Sequence, residues 1–324
     1  MKETDFQSCL AKKMKCFVAL RRLSGTDYKG QTKILGYFDK FLVKENFKKP
    51  YLTKYIVERY LSTVSHLTQR YRSNQCSLIR QFGIYLSRFE PCCYIPESIP
   101  SGKTQDEWRA YIFTKNQIRD LLAATHRLRP TYWLRPYVFH TLIGLLYTTG
   151  IRISEALALN IKDFYPDTLR LHIREGKFRK ERWVPLSVST CEVMKKYINM
   201  RQQVVARGSD QSLFIGFSRT RLCRSSAHSV FFILLEQCGI KRTTKNGPRI
   251  HDIRHTFACH RLLEWYHDGR DINARLPVLA TYMGHLKISS TQIYIQATPE
   301  LRDLANHKFL NYVHKNKIIK GGKS

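Results

Sequence analysis

The sequence predicts a mainly α-helical protein with one small antiparallel β-sheet, divided into two domains. Apolar residues recur at helical spacing over most of the chain. Residues 169–174 alternate with the period of a half-buried strand, and residues 182–186 follow as the returning strand of a hairpin. Between two helical regions, the stretch 91–108 holds three prolines, a glycine and polar residues, a composition typical of a linker.

The domain bounds follow from where these patterns change. We expect a helical N-terminal domain over residues 1–95, a linker over 96–110 and a second domain over 111–324. The second domain begins with Thr114, which can cap a helix that contains Ile118.

The N-terminal domain is expected to be a bundle of basic helices. Val57 and Leu61 follow a possible N-cap at Thr53, and Leu78 and Phe82 repeat the helical spacing. Any single lysine between these apolar positions is most simply a solvated surface residue. The basic residues of this region are balanced by so few acidic residues, however, that together they favour a surface that faces nucleic acid. The candidate residues for that surface are Lys33, Lys40, Arg70, Arg72 and Arg80.

In the second domain, residues 139–148 form an apolar helix that Gly150 ends. A short helix over residues 154–159 follows, and then the hairpin, with its turn at residues 175–177. Beyond the hairpin the pattern predicts helices to near the end of the chain.

Charge narrows the choice of partner. Lys and Arg number 55 against 25 Asp and Glu, which gives a net charge of +30, so a polyanion, first of all nucleic acid, is expected. A membrane surface is the weaker alternative, because the start of the chain is not a signal peptide and the apolar run 139–147 is too short to span a bilayer. We therefore expect a cytoplasmic protein without a membrane partner.

Metal and cofactor sites have little support in the sequence. The nine cysteines are odd in number and contain no C-x-x-C pair, so reduced thiols are expected and a structural zinc site is not. Neither a phosphate-binding glycine loop nor a carboxylate cluster for Mg²⁺ is present in the sequence. No metal and no cofactor is predicted.

Four segments carry residues suited to chemistry on a phosphate. Such chemistry without a metal needs cations to clamp the phosphate oxygens, a nucleophile, a base and an acid. Arg152 follows the helix stop with Glu155 three residues on, and His251 and Arg254 lie on one helix face. Taken singly, these are most simply a surface ion pair and a helix cap with a solvated arginine.

The other two segments are a hairpin turn and a C-terminal helix. Lys177 lies at the turn, with Arg179 and Lys180 beside it, and His285 precedes Tyr294 by nine positions. A solvated lysine and a core tyrosine are the simpler interpretations of each segment alone.

Together the four segments resemble the tyrosine recombinases, which include phage integrases and Xer-type recombinases. The family pattern T-G-x-R-x-S-E-x-L is matched at 149–157, and G-K-x-x-K-E-R-x-V-P-L at 176–186. H-x-x-R-H-x-F-A is matched at 251–258, and G-H with a tyrosine nine residues later at 284–294. The resemblance is specific from about residue 111 to 304, while the N-terminal part shares only a helical, basic character with the family's core-binding domain.

The resemblance implies a site-specific recombinase that cuts and rejoins DNA without metal or ATP. Tyr294 would attack a phosphodiester to form a 3′-phosphotyrosyl bond, with His251 as its base. Lys177 is the expected general acid for the departing 5′-oxygen, and Lys180 is the alternative.

The resemblance also implies how the phosphate is held. Arg152 and Arg254 would bind its non-bridging oxygens, His285 would donate a hydrogen bond to it, and Glu155 would support Arg152. Flanking DNA contacts are expected from hairpin residues, namely Arg179, Lys180 and Arg182.

By the same resemblance, the protein is expected to act on double-stranded DNA that carries paired recombination sites. It is expected to do so as a homotetramer, or together with related recombinases, and to be located at the nucleoid. The segment between Arg254 and His285 is longer than in Xer-type relatives, as in transposon- and plasmid-borne members, which favours integration or excision of a mobile element. A catalytically silent accessory DNA-binding protein and a type IB topoisomerase are the alternatives. The sequence leaves open the target site, the direction of reaction and whether the C-terminal tail packs on its own or a neighbouring protomer.

Overall fold

The structure, a computed structural model, describes residues 5–25, 28–100, 110–174, 181–205, 211–241 and 247–284. The chain divides into two compact units, Met1–Glu107 and Trp108–Ser324, which are described separately. The division falls inside the segment 96–110 that we assign to a linker, and the domain bounds themselves stay a prediction.

Unit 1 is helical. Its helices are α1 (Ala11–Leu23), α2 (Lys29–Lys44), α3 (Lys54–Thr63) and α4 (Gln69–Leu86). The predicted cap is confirmed, because the Thr53 side chain accepts a hydrogen bond from the backbone N–H of Ile56. Phe17, Phe38 and Phe82 are fully buried in one core that all four helices share. The helical character expected of the N-terminal part is thus confirmed.

Part of the predicted linker is fixed on unit 1. Arg80 donates to the carbonyl oxygen of Pro96 at 2.6 Å, and the Ser73 hydroxyl donates to that of Ile99 at 2.9 Å. The thiol of Cys76 donates to the carbonyl of Glu97 at 3.1 Å. These hydrogen bonds therefore hold residues 96–99 along the side of α4.

Unit 2 surrounds a small sheet with helices, and the predicted fold class is confirmed. Its helices are α5 (Lys115–Thr125), α6 (Arg135–Thr149), α7 (Ile153–Ala158), α8 (Val188–Gln202), α9 (Arg224–Gln237), α10 (Asp252–His267) and α11 (Ile272–Met283). Its strands are β1 (Phe164–Tyr165), β2 (Arg170–Ile173) and β3 (Arg182–Pro185), antiparallel in that order. Leu171 faces Val184 across β2 and β3, and both are fully buried against the helices.

The prediction of unbroken helices after the hairpin is wrong at residues 211–222. There the chain is irregular, with one isolated bridge between Asn160 and Ser212 and a second, between Ile215 and Arg221, that encloses a turn at residues 217–218. Three successive apolar residues, Leu213 to Ile215, are all fully buried. A helix would turn such a run to different sides, whereas this irregular segment places all three side chains in the core.

Among the residues described, no helix is long and apolar enough to cross a membrane. All nine cysteines are free, and Cys76, Cys93, Cys191 and Cys259 are buried. Within the same ranges, no three side chains of His, Cys, Asp or Glu come together as a metal site would require.

Candidate active site

The turn that ends α6 at Gly150 positions Arg152. Gly150 ends the helix with φ of +62°, a left-handed conformation, and Arg152 then begins α7. A Cβ atom at position 150 would lie 2.2 Å from Cδ1 of Phe257, so only glycine fits between α6 and α10. The first and third sequence motifs therefore meet at this glycine.

Glu155 holds Arg152 from the next turn of α7. Its Oε1 accepts from the Arg152 guanidinium at 2.8 Å, and its Oε2 accepts from the Arg152 backbone N–H at 2.9 Å. The Glu155 side chain is only 2% exposed. Burial raises the pKa of this carboxyl, but hydrogen bonds and charge from Arg182 and Arg152 outweigh burial and lower the pKa to about 2. Glu155 is therefore ionised at neutral pH and pairs with Arg152 as an ion.

Arg182, at the start of β3, shares this carboxylate. Its NH1 and NH2 donate to Oε1 and Oε2 of Glu155 at 3.1 and 2.7 Å. Its Nε donates to the carbonyl of Tyr282 at 3.2 Å. This fork-to-fork geometry is the strongest pairing that a guanidinium makes with a carboxylate. The structure thus places Arg182 inside the site, whereas the sequence suggested a role in flanking DNA contacts.

Arg254, on α10, is 2% exposed and joins the same site from the other side. Its NH1 donates to the carbonyl of Gly150 at 2.6 Å, and its NH2 donates to that of Met283 at 2.7 Å. Since the carbonyl of Gly150 belongs to the turn that carries Arg152, the two predicted phosphate-binding arginines share one support.

Three arginines from three motifs bind backbone carbonyls at the C-terminal end of α11. The carbonyls of Tyr282, Met283 and Gly284 accept in turn from Arg182, Arg254 and Arg152, the last at 3.2 Å. Helix C-termini present carbonyl oxygens and a partial negative charge, which cations complement. The last residue is a left-handed glycine, and a Cβ there would lie 3.3 Å from NH1 of Arg182.

The charges in this cluster suit an anion. Among the described residues of this cluster, Arg152, Arg182 and Arg254 bring positive charge, and Glu155 brings negative charge. A phosphodiester carries one negative charge and gains more in the transition state of its cleavage. Prearranged guanidinium groups in a site of low polarity stabilise such charge most strongly.

His251 lies at the N-cap of α10, three residues before Arg254. Burial lowers the pKa of its imidazole, and the charges of Arg254, Arg249, Arg152 and Arg224 lower it further, to about 4. The ring is therefore neutral at pH 7 and can accept a proton, as the predicted base must. The charges that act on the ring also show that His251 and the arginine cluster share one electrostatic site.

Arg249 and Asp252 hold the start of α10. Asp252, which is buried, accepts from the Arg249 backbone N–H at 2.8 Å and from its guanidinium at 3.2 Å. This local pairing fixes the backbone on both sides of His251. Arg249 and Arg224 were not predicted from the sequence: Arg249 lies two residues before the candidate His251, and Arg224, at the start of α9, is distant from it in the chain.

The structure brings together the predicted residues Arg152, Glu155, His251 and Arg254. The remaining predicted catalytic residues and hairpin contacts lie outside the described residues; they are Lys177, Arg179, Lys180, His285 and Tyr294. On unit 1, Lys33, Lys40 and Arg70 are exposed, while Arg72 and Arg80 are half-buried.

Comparison with known proteins supports the same chemistry. The model of the phage integrase family matches residues 112–300. A Sinorhizobium fredii protein named as an integrase/recombinase, y4rB, is 32% identical over 290 residues, which cover 88% of this chain and 92% of that protein. The tyrosine recombinase XerD of Corynebacterium glutamicum is 33% identical over 161 residues, 49% of this chain and 48% of XerD.

Solved structures show the same fold at low sequence identity. The integrase of transposon Tn1549, in complex with transposon right end DNA, superposes with a TM-score of 0.64 at 13% identity, covering 92% of this chain and 98% of that one. The XerH site-specific recombinase, bound to its difH substrate, superposes with a TM-score of 0.62 at 19% identity, covering 84% of this chain and 77% of that one.

Proposed function

The chain belongs to the phage integrase family, and on that premise we propose that it breaks and rejoins DNA strands through a covalent bond to Tyr294. It is a tyrosine site-specific recombinase by this membership, and its substrate is DNA. The assignment of individual residues to steps of the reaction is our proposal.

The cluster in which Arg152 and Arg182 share the carboxylate of Glu155, and Arg254 binds the turn at Gly150, carries this proposal. Its parts come from three of the four sequence segments that resemble tyrosine recombinases, and the structure joins them by direct hydrogen bonds. Prearranged guanidinium groups suit the negative charge of a phosphate, which they stabilise most strongly where that charge grows in the transition state.

The reaction balances without a cofactor. The Tyr294 oxygen attacks the phosphorus and transfers its proton to His251, whose ring is neutral and ready to accept it. The bond to the 5′-oxygen breaks, and Lys177 supplies the proton to that oxygen, with Lys180 as the alternative donor. Rejoining runs in reverse from a 5′-hydroxyl, so the energy of the broken bond is retained in the phosphotyrosine.

During this step Arg152 and Arg254 bind the non-bridging oxygens, and His285 donates a further hydrogen bond. Removal of one such donor from a prearranged site typically slows catalysis by about 10²–10³-fold. Both arginines already hold backbone carbonyls of unit 2, which fixes each guanidinium before DNA arrives.

We further infer that the protein assembles as a homotetramer on two recombination sites, in the cytoplasm at the nucleoid. The fold shared with a transposon integrase supports a mobile element as the source of that DNA. An assay for strand exchange between two duplexes distinguishes recombination from the single-duplex relaxation of a topoisomerase.

The test is formation of an adduct that survives SDS. The protein is incubated, with EDTA present, with nicked duplexes taken from DNA that flanks its own gene. We expect a covalent protein–DNA species that Tyr294→Phe abolishes and Tyr312→Phe leaves unchanged. Tight, salt-sensitive binding to many such DNAs without any adduct would instead indicate a silent DNA-binding relative.

A further inference from the structure

We propose that Arg182 is a positioning residue for strand cleavage: it sets Arg152 through the shared carboxylate of Glu155 and anchors the end of α11, without contacting DNA itself. The inference rests on the proposed function, and it reassigns a residue that the sequence places among the DNA contacts.

The directions of its hydrogen bonds argue for this role. All three nitrogens of the Arg182 guanidinium donate to the protein, at 2.7 and 3.1 Å to Glu155 and at 3.2 Å to the carbonyl of Tyr282. The side chain is 14% exposed. Each of its three nitrogens therefore has an acceptor inside unit 2, and two of them form a bidentate pair with one carboxylate.

The carboxylate of Glu155 links Arg182 to Arg152. It accepts four hydrogen bonds, two from Arg182 and two from Arg152, so that each oxygen serves both arginines. Without Arg182, half of these bonds are lost and Glu155 is free to turn toward Arg152. The Arg152 guanidinium would then pair more fully with Glu155, and its position for binding phosphate would change.

The end of α11 is the second element that Arg182 holds. The carbonyl of Tyr282 is the first of the three successive carbonyls that the arginines bind. The chain continues directly from Gly284 to the predicted phosphate ligand His285. Arg182 therefore fixes the backbone at the end of α11, shortly before His285 in the chain. Arg254 and Arg152 bind the next two carbonyls.

A neighbouring arginine shows the contrast. Arg170 lies on β2 of the same sheet, opposite Pro185, and is exposed. It carries the same charge at the same sheet without pairing to Glu155, which makes Arg170→Gln the matched control for loss of a cation.

The experiment separates DNA affinity from the cleavage step. Binding of the nicked duplex is measured over a range of salt concentrations, and the single-turnover rate of adduct formation is measured at saturating DNA. The variants are Arg182→Lys, Arg182→Met and Arg170→Gln, with thermal unfolding as a check on folding. Arg182→Lys keeps the charge but cannot reach both oxygens of Glu155 and the carbonyl of Tyr282 at once.

A positioning role predicts an unchanged salt slope and a rate at saturating DNA that falls about 100-fold in both Arg182 variants, the size expected for an ångström-scale misplacement. A DNA contact predicts the reverse: the slope of log K against log salt drops by about 0.9 in Arg182→Met, Arg182→Lys binds like the wild type, and the saturated rate is unchanged. That result would overturn the inference.

A double-mutant cycle tests whether Arg182 acts through Glu155. If it does, combining Arg182→Lys with Glu155→Gln gives a rate no lower than the slower single variant, because both changes break one linkage. Losses that multiply would contradict the linkage, and the cycle is read only for variants whose thermal unfolding shows that they keep the fold. Should the wild type form no adduct, the proposed function fails, while the salt slopes of Arg182→Met and Arg170→Gln still decide whether Arg182 contacts DNA.

Discussion

The basic residues of the two units differ in how they are held. In unit 2, Arg152, Arg182 and Arg254 are largely buried and donate to one carboxylate and four backbone carbonyls. In unit 1, Lys33 and Lys40 lie exposed on α2. A buried, fixed cation is prearranged for a charge that develops during a reaction, whereas an exposed, mobile one attracts a polyanion at a distance.

The difference separates two contributions to function. We expect the arginines of unit 2 to determine the rate of the chemical step on bound DNA. We expect the lysines of unit 1 to determine affinity and its dependence on salt.

Arg254→Ala should produce the largest change. It removes a guanidinium that is proposed to bind the scissile phosphate, and it leaves the carbonyls of Gly150 and Met283 without this donor. We expect adduct formation at saturating DNA to slow by about 10²–10³-fold, with a loss of roughly 1–3 kcal/mol of stability for each buried carbonyl left unpaired. Single-turnover kinetics and urea unfolding measure the two effects, and an unchanged saturated rate would contradict the division.

Gly150→Ala tests the turn that supports Arg152. The new Cβ would lie 2.2 Å from the ring of Phe257, at a residue whose φ is +62°. We expect about 1–2 kcal/mol of destabilisation from the left-handed backbone and about 1–3 kcal/mol from overpacking. Gly239→Ala is the matched control, because φ there is +66° and no atom lies within 4 Å of the added Cβ. Urea unfolding that shows equal losses in the two variants would contradict the close contact.

Acid should destabilise the site in two successive pH windows that overlap near pH 4. The pKa of His251 is about 4 when folded and ordinarily 6.5, so the unfolded chain binds this proton first and stability falls as pH drops from 6.5 to 4. The pKa of Glu155 is about 2 when folded and ordinarily 4.5, so its contribution is present above pH 4.5 and is lost toward pH 2.

Urea unfolding of the free protein at pH 7, 5.5 and 4 measures the upper window. His251→Asn should flatten the fall in that window and leave the lower one in place. DNA binding should raise the pKa of His251 toward its ordinary value, because a phosphate near the imidazole favours the protonated form. The loss of stability between pH 6.5 and 4 should therefore be smaller when DNA is bound. A wild-type protein whose stability is constant from pH 7 to 4 would contradict the buried, neutral His251.

The exposed residues of unit 1 should have the smallest individual effects. Gln substitutions at Lys33, Lys40 and Arg70 should each reduce the salt slope of DNA binding by at most about 0.9, with no change in the rate at saturating DNA. Lys15→Gln is the control, because Lys15 already pairs with Asp5 at 3.1 Å. Equal effects at Lys15 and Lys33 would show that net charge, and no particular surface, determines binding.

Local patterns in the sequence were sufficient for much of the fold. Thr53 and Thr114 cap the helices that they were predicted to cap, and Gly150 ends α6. The strands β2 and β3 lie within the predicted hairpin. These features depend on residues within a few positions of one another, which is the range over which caps, turns and periodicity act.

Contacts between distant segments could not be predicted in the same way. The pairing of Arg152 with Glu155 was expected from a separation of three residues, whereas Arg182 reaches Glu155 across 27 positions and Tyr282 across 100. The two-residue strand β1 has too few residues to show a period. Family resemblance indicated which residues carry the chemistry, but only the structure shows that three arginines hold one helix end.

The central claim is that Tyr294 forms the covalent bond to DNA. The adduct made on a nicked duplex can be digested with nuclease and trypsin, and the modified peptide identified by mass spectrometry. The account predicts a nucleotide on the tryptic peptide that spans residues 288–302, attached to Tyr294. A nucleotide attached to any other tyrosine, or to a serine, would contradict it.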